Sequence, residues 1–196
     1  MPWVGSAPAR VVVLAAGCGL VACAAEPALR TTPESSYAAA RRLLVERAAA
    51  GPVQVEIERP PAALGAAEPA RQEIARLAAE GVRGLRPTLT PEPVPGPTLV
   101  LAFDTSPVVS GTAVCAGERP PLVPAPPGEV RLRAVFCDGG LPVAETLGVA
   151  EASPVAVERL IWRSTALLFP DDYPERYGFN LFGDRLRFGL GGSFGF

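Results

Sequence analysis

The chain has 196 residues, a length that suits one domain with its own hydrophobic core. Its 18 basic residues are all arginine, it has no histidine, and 20 acidic residues leave a formal net charge of −2. This charge argues against a non-specific binder of nucleic acid or anionic membranes, which needs a basic surface. The absence of histidine and lysine excludes Ser-His-Asp and Cys-His catalysis, Schiff-base lysines and Walker P-loops.

The first 25 residues indicate an export signal. Arg10 precedes the apolar run Val11–Ala22. That run is shorter than the roughly 20 residues of a membrane span but matches the hydrophobic region of a secretory signal. It leads into Leu20-Val21-Ala22-Cys23, which resembles the lipobox of bacterial lipoprotein precursors.

This resemblance implies that residues 1–22 are removed and that Cys23 carries the lipid, with acyl chains such as palmitate. Cys18 is the alternative lipid site, although Leu14 stands one place too far before it. Ala24 follows Cys23 where an aspartate would favour retention in the inner membrane. We therefore expect an outer-membrane protein that faces the periplasm, with the outer face of the inner membrane as the alternative.

The next part of the chain predicts a tether followed by alternating helices and strands. Residues 23–34 lack periodicity and read as a lipidated cysteine with a flexible tether. A helix capped by Ser35 or Ser36 is expected to run to about Ala49, with Val53–Glu58 as a half-exposed strand. A second helix is expected over about Glu68–Glu80, with an Arg76–Glu80 pair on its exposed side and Gly81 as its C-cap.

The remaining pattern completes one domain over residues 35–196. Proline-rich loops are expected at 87–97 and 119–128, with a buried strand at Thr98–Asp104 between them. Glu129–Cys137 alternates, with Arg131 and Arg133 predicted to face outward, and Asp138-Gly139-Gly140 turns into Leu141–Val149. Ser153-Pro154 begins a last helix, which Phe169-Pro170 ends. The order α-β-α-β-β-β-α, with a further C-terminal strand, predicts a two-layer α+β domain. It is loosely similar to small α/β domains of envelope lipoproteins.

The two cysteines within this domain predict a disulfide. Cys115 and Cys137 form an even pair in a chain expected to enter an oxidising compartment. Because no Cys-x-x-Cys spacing is present, redox catalysis is disfavoured, and no metal site or cofactor is expected.

Catalysis by two carboxylates requires neither histidine nor lysine, so the composition does not exclude it. Asp171, Asp172, Glu175 and Asp184 cluster around the segment FPDDYPERYGFN. Two carboxylates beside a sugar-binding cleft would make a glycan-acting enzyme. Acidic residues punctuated by Pro174 and Gly178 are also typical of a solvated turn, which we favour.

Aromatic residues near the C-terminus predict an interaction surface. Leu186, Phe188 and Leu190 alternate as in a strand that covers the domain's own core. The residues expected to contact a partner are Tyr173, Tyr177, Phe179, Phe194 and Phe196. The sequence thus favours a non-catalytic binding or structural component of the cell envelope, anchored by lipid and contacting another envelope protein. A carboxylate-dependent enzyme acting on envelope glycans is the alternative, and no nucleic-acid partner is expected.

Overall fold

The computed structural model describes residues 26–106, 108–118 and 123–171. The elements are, in chain order, β1 (Ala28–Thr31), α1 (Tyr37–Ala50), β2 (Val53–Glu58), a 3-10 helix (Ala62–Leu64), α2 (Ala67–Gly81), β3 (Leu89–Thr90), β4 (Thr98–Phe103), α3 (Gly111–Cys115), β5 (Glu129–Asp138), β6 (Leu141–Glu151) and α4 (Pro154–Leu168). The predicted α+β class is confirmed. Within the described residues no helix is both long and apolar enough to cross a bilayer.

The strands form one mixed sheet in the order β1-β6-β5-β4-β2-β3. β2 runs parallel to β3 and β4, whereas β4, β5, β6 and β1 pair antiparallel. The parallel pair β2 and β4 requires a crossover, which α2 supplies. The β5–β6 hairpin turns at Gly139 and Gly140, whose φ angles of 56° and 80° suit the predicted two-residue turn.

The main core lies between one face of the sheet and the helices α1, α2 and α4. Alternate strand residues point into it, including Val55, Leu101 and Phe136. The ring of Phe136 meets that of Phe169 edge to face, with centroids 5.0 Å apart. Because Phe169 directly follows α4, this contact holds the end of that helix on the sheet.

The opposite face of the sheet, which we call the second face, is covered in part by α3. Val100 and Val135 pack there against Val114 of α3 and form a smaller apolar cluster. Leu99–Phe103 is therefore buried on both sides, which explains its uninterrupted apolar sequence.

Three short elements were not predicted from sequence. The expected tether over residues 23–34 is wrong for Ala28–Thr31, which pair antiparallel with Thr146–Val149 as β1. Their backbone satisfies the edge of β6, a long-range gain that local composition does not reveal. β3 likewise lies inside the predicted loop 87–97, and α3 lies between Asp104 and residue 119, where no helix or strand was predicted.

The chain between β1 and α1 completes the edge of β6 beyond β1. The Ser36 backbone N–H donates to the Val143 carbonyl at 2.8 Å, and the Tyr37 hydroxyl donates to the Glu145 carbonyl at 2.8 Å. The Glu145 N–H donates to the Ser35 hydroxyl at 2.8 Å. The prediction that Ser35 or Ser36 caps α1 is therefore wrong for the side chains, although Ser36 occupies the N-cap position.

Gly81 was predicted to be the C-cap of α2, but it is the last residue of that helix. It lies where α2 crosses α4. A Cβ added there would collide with the Thr165 hydroxyl and lie 2.5 Å from the Trp162 carbonyl oxygen. Only glycine lets the two helix backbones approach this closely.

We predict that Gly81→Ala lowers the free energy of unfolding by at least about 1 kcal/mol, because it overpacks the α2–α4 contact. Helix propensity alone would give the opposite sign, a gain of about 1 kcal/mol. Urea unfolding measures the change. Gln72→Ala, at an exposed position of the same helix, is the control and should not destabilise. A stabilised Gly81→Ala protein would show that the close approach is absent.

Candidate functional site

The second face of the sheet divides into an acidic end and a basic end. Glu56 and Glu58 of β2 lie at one end, next to Val100 and Ala102 of β4 in register. At the other end, the alternate residues of β5, β6 and β1 bring together Arg131, Arg133, Leu147, Val149, Ala28 and Arg30. α3 covers the region between the two ends.

A disulfide fixes α3 to this face. Cys115, at the end of α3, is joined to Cys137 of β5, and their Cα atoms are 5.5 Å apart. This is the pairing predicted from the sequence. The bridge closes the loop between β4 and β5 and so holds the cover over Val100 and Val135.

Beneath this cover lies a buried ion pair. The Arg133 guanidinium contacts the Glu145 carboxylate, and the two residues are only 3 % and 8 % exposed. Burial lowers the pKa of Arg133 from its usual value because desolvation disfavours the charged form. The carboxylate opposite compensates this cost. The prediction that Arg133 faces outward is wrong: its side chain lies on the second face of the sheet but is buried there, paired with Glu145.

Gly111 allows α3 to rest on this carboxylate. A Cβ at Gly111 would lie 2.7 Å from Glu145 Oε2, so a side chain would displace the carboxylate or the helix. Ser110 caps the helix, its hydroxyl accepting from the Ala113 N–H at 3.2 Å. The sequence Ser110-Gly111 therefore both starts α3 and fits it to Glu145.

Next to the ion pair, the basic end of the second face forms an open groove of about 340 Å³. We call it the arginine groove and define it by Arg30, Thr105, Arg131, Leu147 and Val149. Leu147 and Val149 are half-buried and form its apolar floor, whereas Arg30 is exposed. This arrangement can bind an anion that also has an apolar part.

A second, larger concavity of about 830 Å³ lies at the C-terminal end of α2. Its lining includes Arg76, Arg83 and Arg86. Arg76 bridges Glu73 and Glu80, which confirms the predicted Arg76–Glu80 pair. Its hydrogen bonds to the two carboxylates raise the pKa of Arg76, and the bond to Glu73 lowers the pKa of Glu73. Arg83 lies 5.2 Å from the ring centroid of Trp162. Two arginines of this concavity, Arg76 and Arg83, are therefore committed to contacts within the domain.

Of the predicted carboxylates, the structure places Asp171. Its Oδ1 lies 3.6 Å from Nη2 of Arg41, a buried residue of α1 whose Nη1 donates to the Phe169 carbonyl at 3.3 Å. Asp171 therefore helps to fix the end of α4. The other predicted site residues lie outside the described residues: Cys18, Cys23, Asp172, Tyr173, Glu175, Tyr177, Phe179, Asp184, Phe194 and Phe196. The predicted C-terminal strand lies outside them too.

The arginine groove and the two buried arginines were not found from the sequence. Strand alternation places Arg131 and Arg133 on one side of β5 but does not reveal that Arg133 is buried and Arg131 only half-buried. Arg30 could not be assigned at all without β1. Within residues 26–106, 108–118 and 123–171, no group of three or more cysteine, aspartate or glutamate side chains could hold a metal ion.

Comparison with known proteins gives little further information. No protein-family model matches the chain, and no curated protein matches it. A solved structure, the dodecamer of a PelC point variant from Paraburkholderia phytofirmans, aligns at 14 % identity with a TM-score of 0.37. The alignment covers 74 % of this chain and 99 % of that one. At this TM-score the likeness carries no argument about function.

We predict that reduction of the Cys115–Cys137 bridge lowers the free energy of unfolding by about 3 kcal/mol, because the closed loop restricts the unfolded chain. Urea unfolding with and without reductant measures the difference. The Cys115→Ser, Cys137→Ser double variant should start at the lower stability and show no response to reductant. An equal response in the variant would assign the effect to another thiol.

We predict that Arg133→Met costs about 3–5 kcal/mol of stability, because it leaves the Glu145 carboxylate buried without its cation. Adding Glu145→Gln to that variant should restore more than half of the loss, since the isosteric amide removes the buried charge. Arg42→Met, at an exposed arginine of α1, is the control and should leave the urea midpoint unchanged. If the double variant is no more stable than Arg133→Met, the ion pair is not the cause.

Proposed function

We propose that this protein is a lipid-anchored lipoprotein of the bacterial cell envelope whose folded domain is a non-catalytic binding component. Its lipid is carried by Cys23, and it faces the periplasm from the outer membrane, consistent with Ala24 after the cysteine. Its partner is another envelope protein.

The observation that carries this proposal is the position of Cys23 relative to the fold. The lipobox-like sequence ends at Cys23, and the first strand of the sheet begins at Ala28. Glu26 forms an ion pair with Arg163 of α4, and Pro27 is buried. The described fold therefore begins three residues after the cysteine, as expected when a signal is removed directly before a mature domain.

Two further features support the proposal. The Cys115–Cys137 disulfide suits an oxidising compartment outside the cytoplasm, because cytosolic thiols are kept reduced. Among the described residues, the buried carboxylate of Glu145 is paired with Arg133, and the partly exposed carboxylate of Asp171 is paired with Arg41. Such pairs serve structure, whereas glycan hydrolysis requires two carboxylates facing a shared cleft.

The anchor is tested by labelling with a fatty acid in a bacterial host that processes lipoproteins. We expect Cys23→Ala to abolish incorporation and leave precursor or released protein, because the sulfur that takes the diacylglycerol is gone. Cys18→Ala is the matched control and should be labelled like the wild type. Labelled Cys23→Ala with unlabelled Cys18→Ala would move the site to Cys18, and label in neither wild type nor control would refute the anchor.

A further inference from the structure

The arginine groove holds two cations, Arg30 and Arg131, for which no carboxylate of residues 26–106, 108–118 or 123–171 forms an ion pair. Arg131 bonds to Asp104 through its backbone: its N–H donates to Asp104 Oδ1 at 3.2 Å, and its carbonyl accepts from the Asp104 N–H at 3.0 Å. In contrast, Arg133 beside them is committed to Glu145. The groove thus separates a structural arginine from two that are available to a ligand.

Strand register places these two cations around an apolar floor. Arg30 lies opposite Leu147, and Arg131 lies opposite Val149 on the other side of β6. The strands that carry the arginines are two strand spacings apart, about 10 Å. Their long side chains can therefore reach one anionic group held above Leu147 and Val149.

We propose that the arginine groove binds the headgroup of an acidic phospholipid in the membrane to which the protein is anchored. Guanidinium groups bind phosphate oxygens in a bidentate manner, which suits the phosphodiester. Leu147 and Val149 then contact the apolar part of the lipid next to the headgroup. This inference rests on the proposed function, because the anchor brings the groove to the bilayer.

The position of the anchor favours a lipid over a soluble anion. Glu26 is held by Arg163, with Arg159 also 3.9 Å away, so the chain is fixed just before β1. Cys23 stands only three residues before Glu26 in the sequence. β1, which carries Arg30, is the strand at this edge of the sheet. A lipid on Cys23 would therefore bring the β1 edge, and the groove beside it, towards the membrane surface.

Charge on the same face sets the orientation. Glu56 and Glu58 at the far end of the second face are repelled by anionic headgroups, whereas Arg30 and Arg131 are attracted. The domain would therefore rest on the bilayer with its β1 edge. Two arginines alone bind weakly, so the anchor supplies residence and the groove supplies orientation. This is consistent with the net charge of −2, which excludes only non-specific attraction.

The test uses residues 24–196, which contain every described element and lack the predicted signal and lipid. Vesicles of phosphatidylcholine alone, or mixed with phosphatidylglycerol, are sedimented with the protein at low ionic strength. We expect binding to the mixed vesicles, release by salt, and little binding to phosphatidylcholine. The Arg30→Ala, Arg131→Ala variant should bind about 25-fold more weakly, or about fivefold for each arginine.

The matched control is Arg42→Ala, Arg86→Ala, which changes the net charge equally at exposed arginines outside the groove. It should retain nearly all binding. Leu147→Ser should weaken binding without altering charge, and thermal unfolding verifies that each variant is folded. The proposal is overturned by an equal loss in the control, by no binding of the wild type to mixed vesicles, or by equal binding to both vesicle types.

A further arm separates the lipid from a soluble phosphate compound. Glycerol phosphate at the concentration of accessible lipid headgroups should not displace the protein from vesicles, because it lacks the apolar part. Full displacement would identify a site for soluble phosphate and refute the lipid. The protein in this experiment lacks Cys23 and its lipid. A negative result with vesicles would therefore refute the lipid-binding groove but not the anchor, which the fatty-acid labelling tests separately.

Discussion

The buried contact between Arg133 and Glu145 organises the second face of the sheet. Glu145 meets four segments at once: Arg133 of β5, Gly111 of α3, Ser35 before α1, and Tyr37 within it. Its carboxylate requires a cation and cover from water, and its backbone requires partners beyond the end of β1. A buried charge is costly unless every such requirement is met, so the surrounding chain is constrained by this one residue.

This constraint explains why the cover is small and yet firmly fixed. α3 spans only Gly111–Cys115, too short to be stable on its own. It is held at one end by contact with Glu145 and at the other by the bridge to Cys137. Between them, Val114 packs on Val100 and Val135. The glycine, the apolar residue and the cysteine thus each have a separate physical role.

The main elements could be predicted because their signals are local. Val53–Glu58 alternates with a period of two and forms β2 with the predicted bounds, and Ser153-Pro154 begins α4 as expected. The Asp138-Gly139-Gly140 turn fixed the hairpin for the same reason. By contrast, β1, β3 and the burial of Arg133 depend on which strand lies alongside. The pattern of Ala28–Thr31 shows no alternation, and its pairing with β6 appears only when the sheet is assembled.

The candidate site was less predictable than the fold because it combines residues from distant parts of the chain. Arg30 and Arg131 are far apart in sequence and come to lie on either side of β6 only when the sheet is assembled. Composition gave a slightly acidic chain, but the sheet sorts its charges, with Glu56 and Glu58 at one end and the two arginines at the other. Average charge therefore describes solubility and non-specific attraction, whereas recognition depends on how strand register distributes the charges.

The separation of acidic and basic residues on the second face matters because few residues connect Cys23 to the fold. A long flexible tether would let an anchored domain rotate freely, so that a weak attraction of two arginines would have little effect. Here Pro27 is buried and Glu26 pairs with Arg163, and only Ala24 and Ala25 separate Glu26 from Cys23 in the sequence. The proposed anchor on Cys23 would therefore leave the domain few orientations. Restricting the alternatives raises the effective concentration of headgroups at the arginine groove without adding any contact. A site of modest affinity for a membrane can therefore still determine which face an anchored protein turns towards the bilayer.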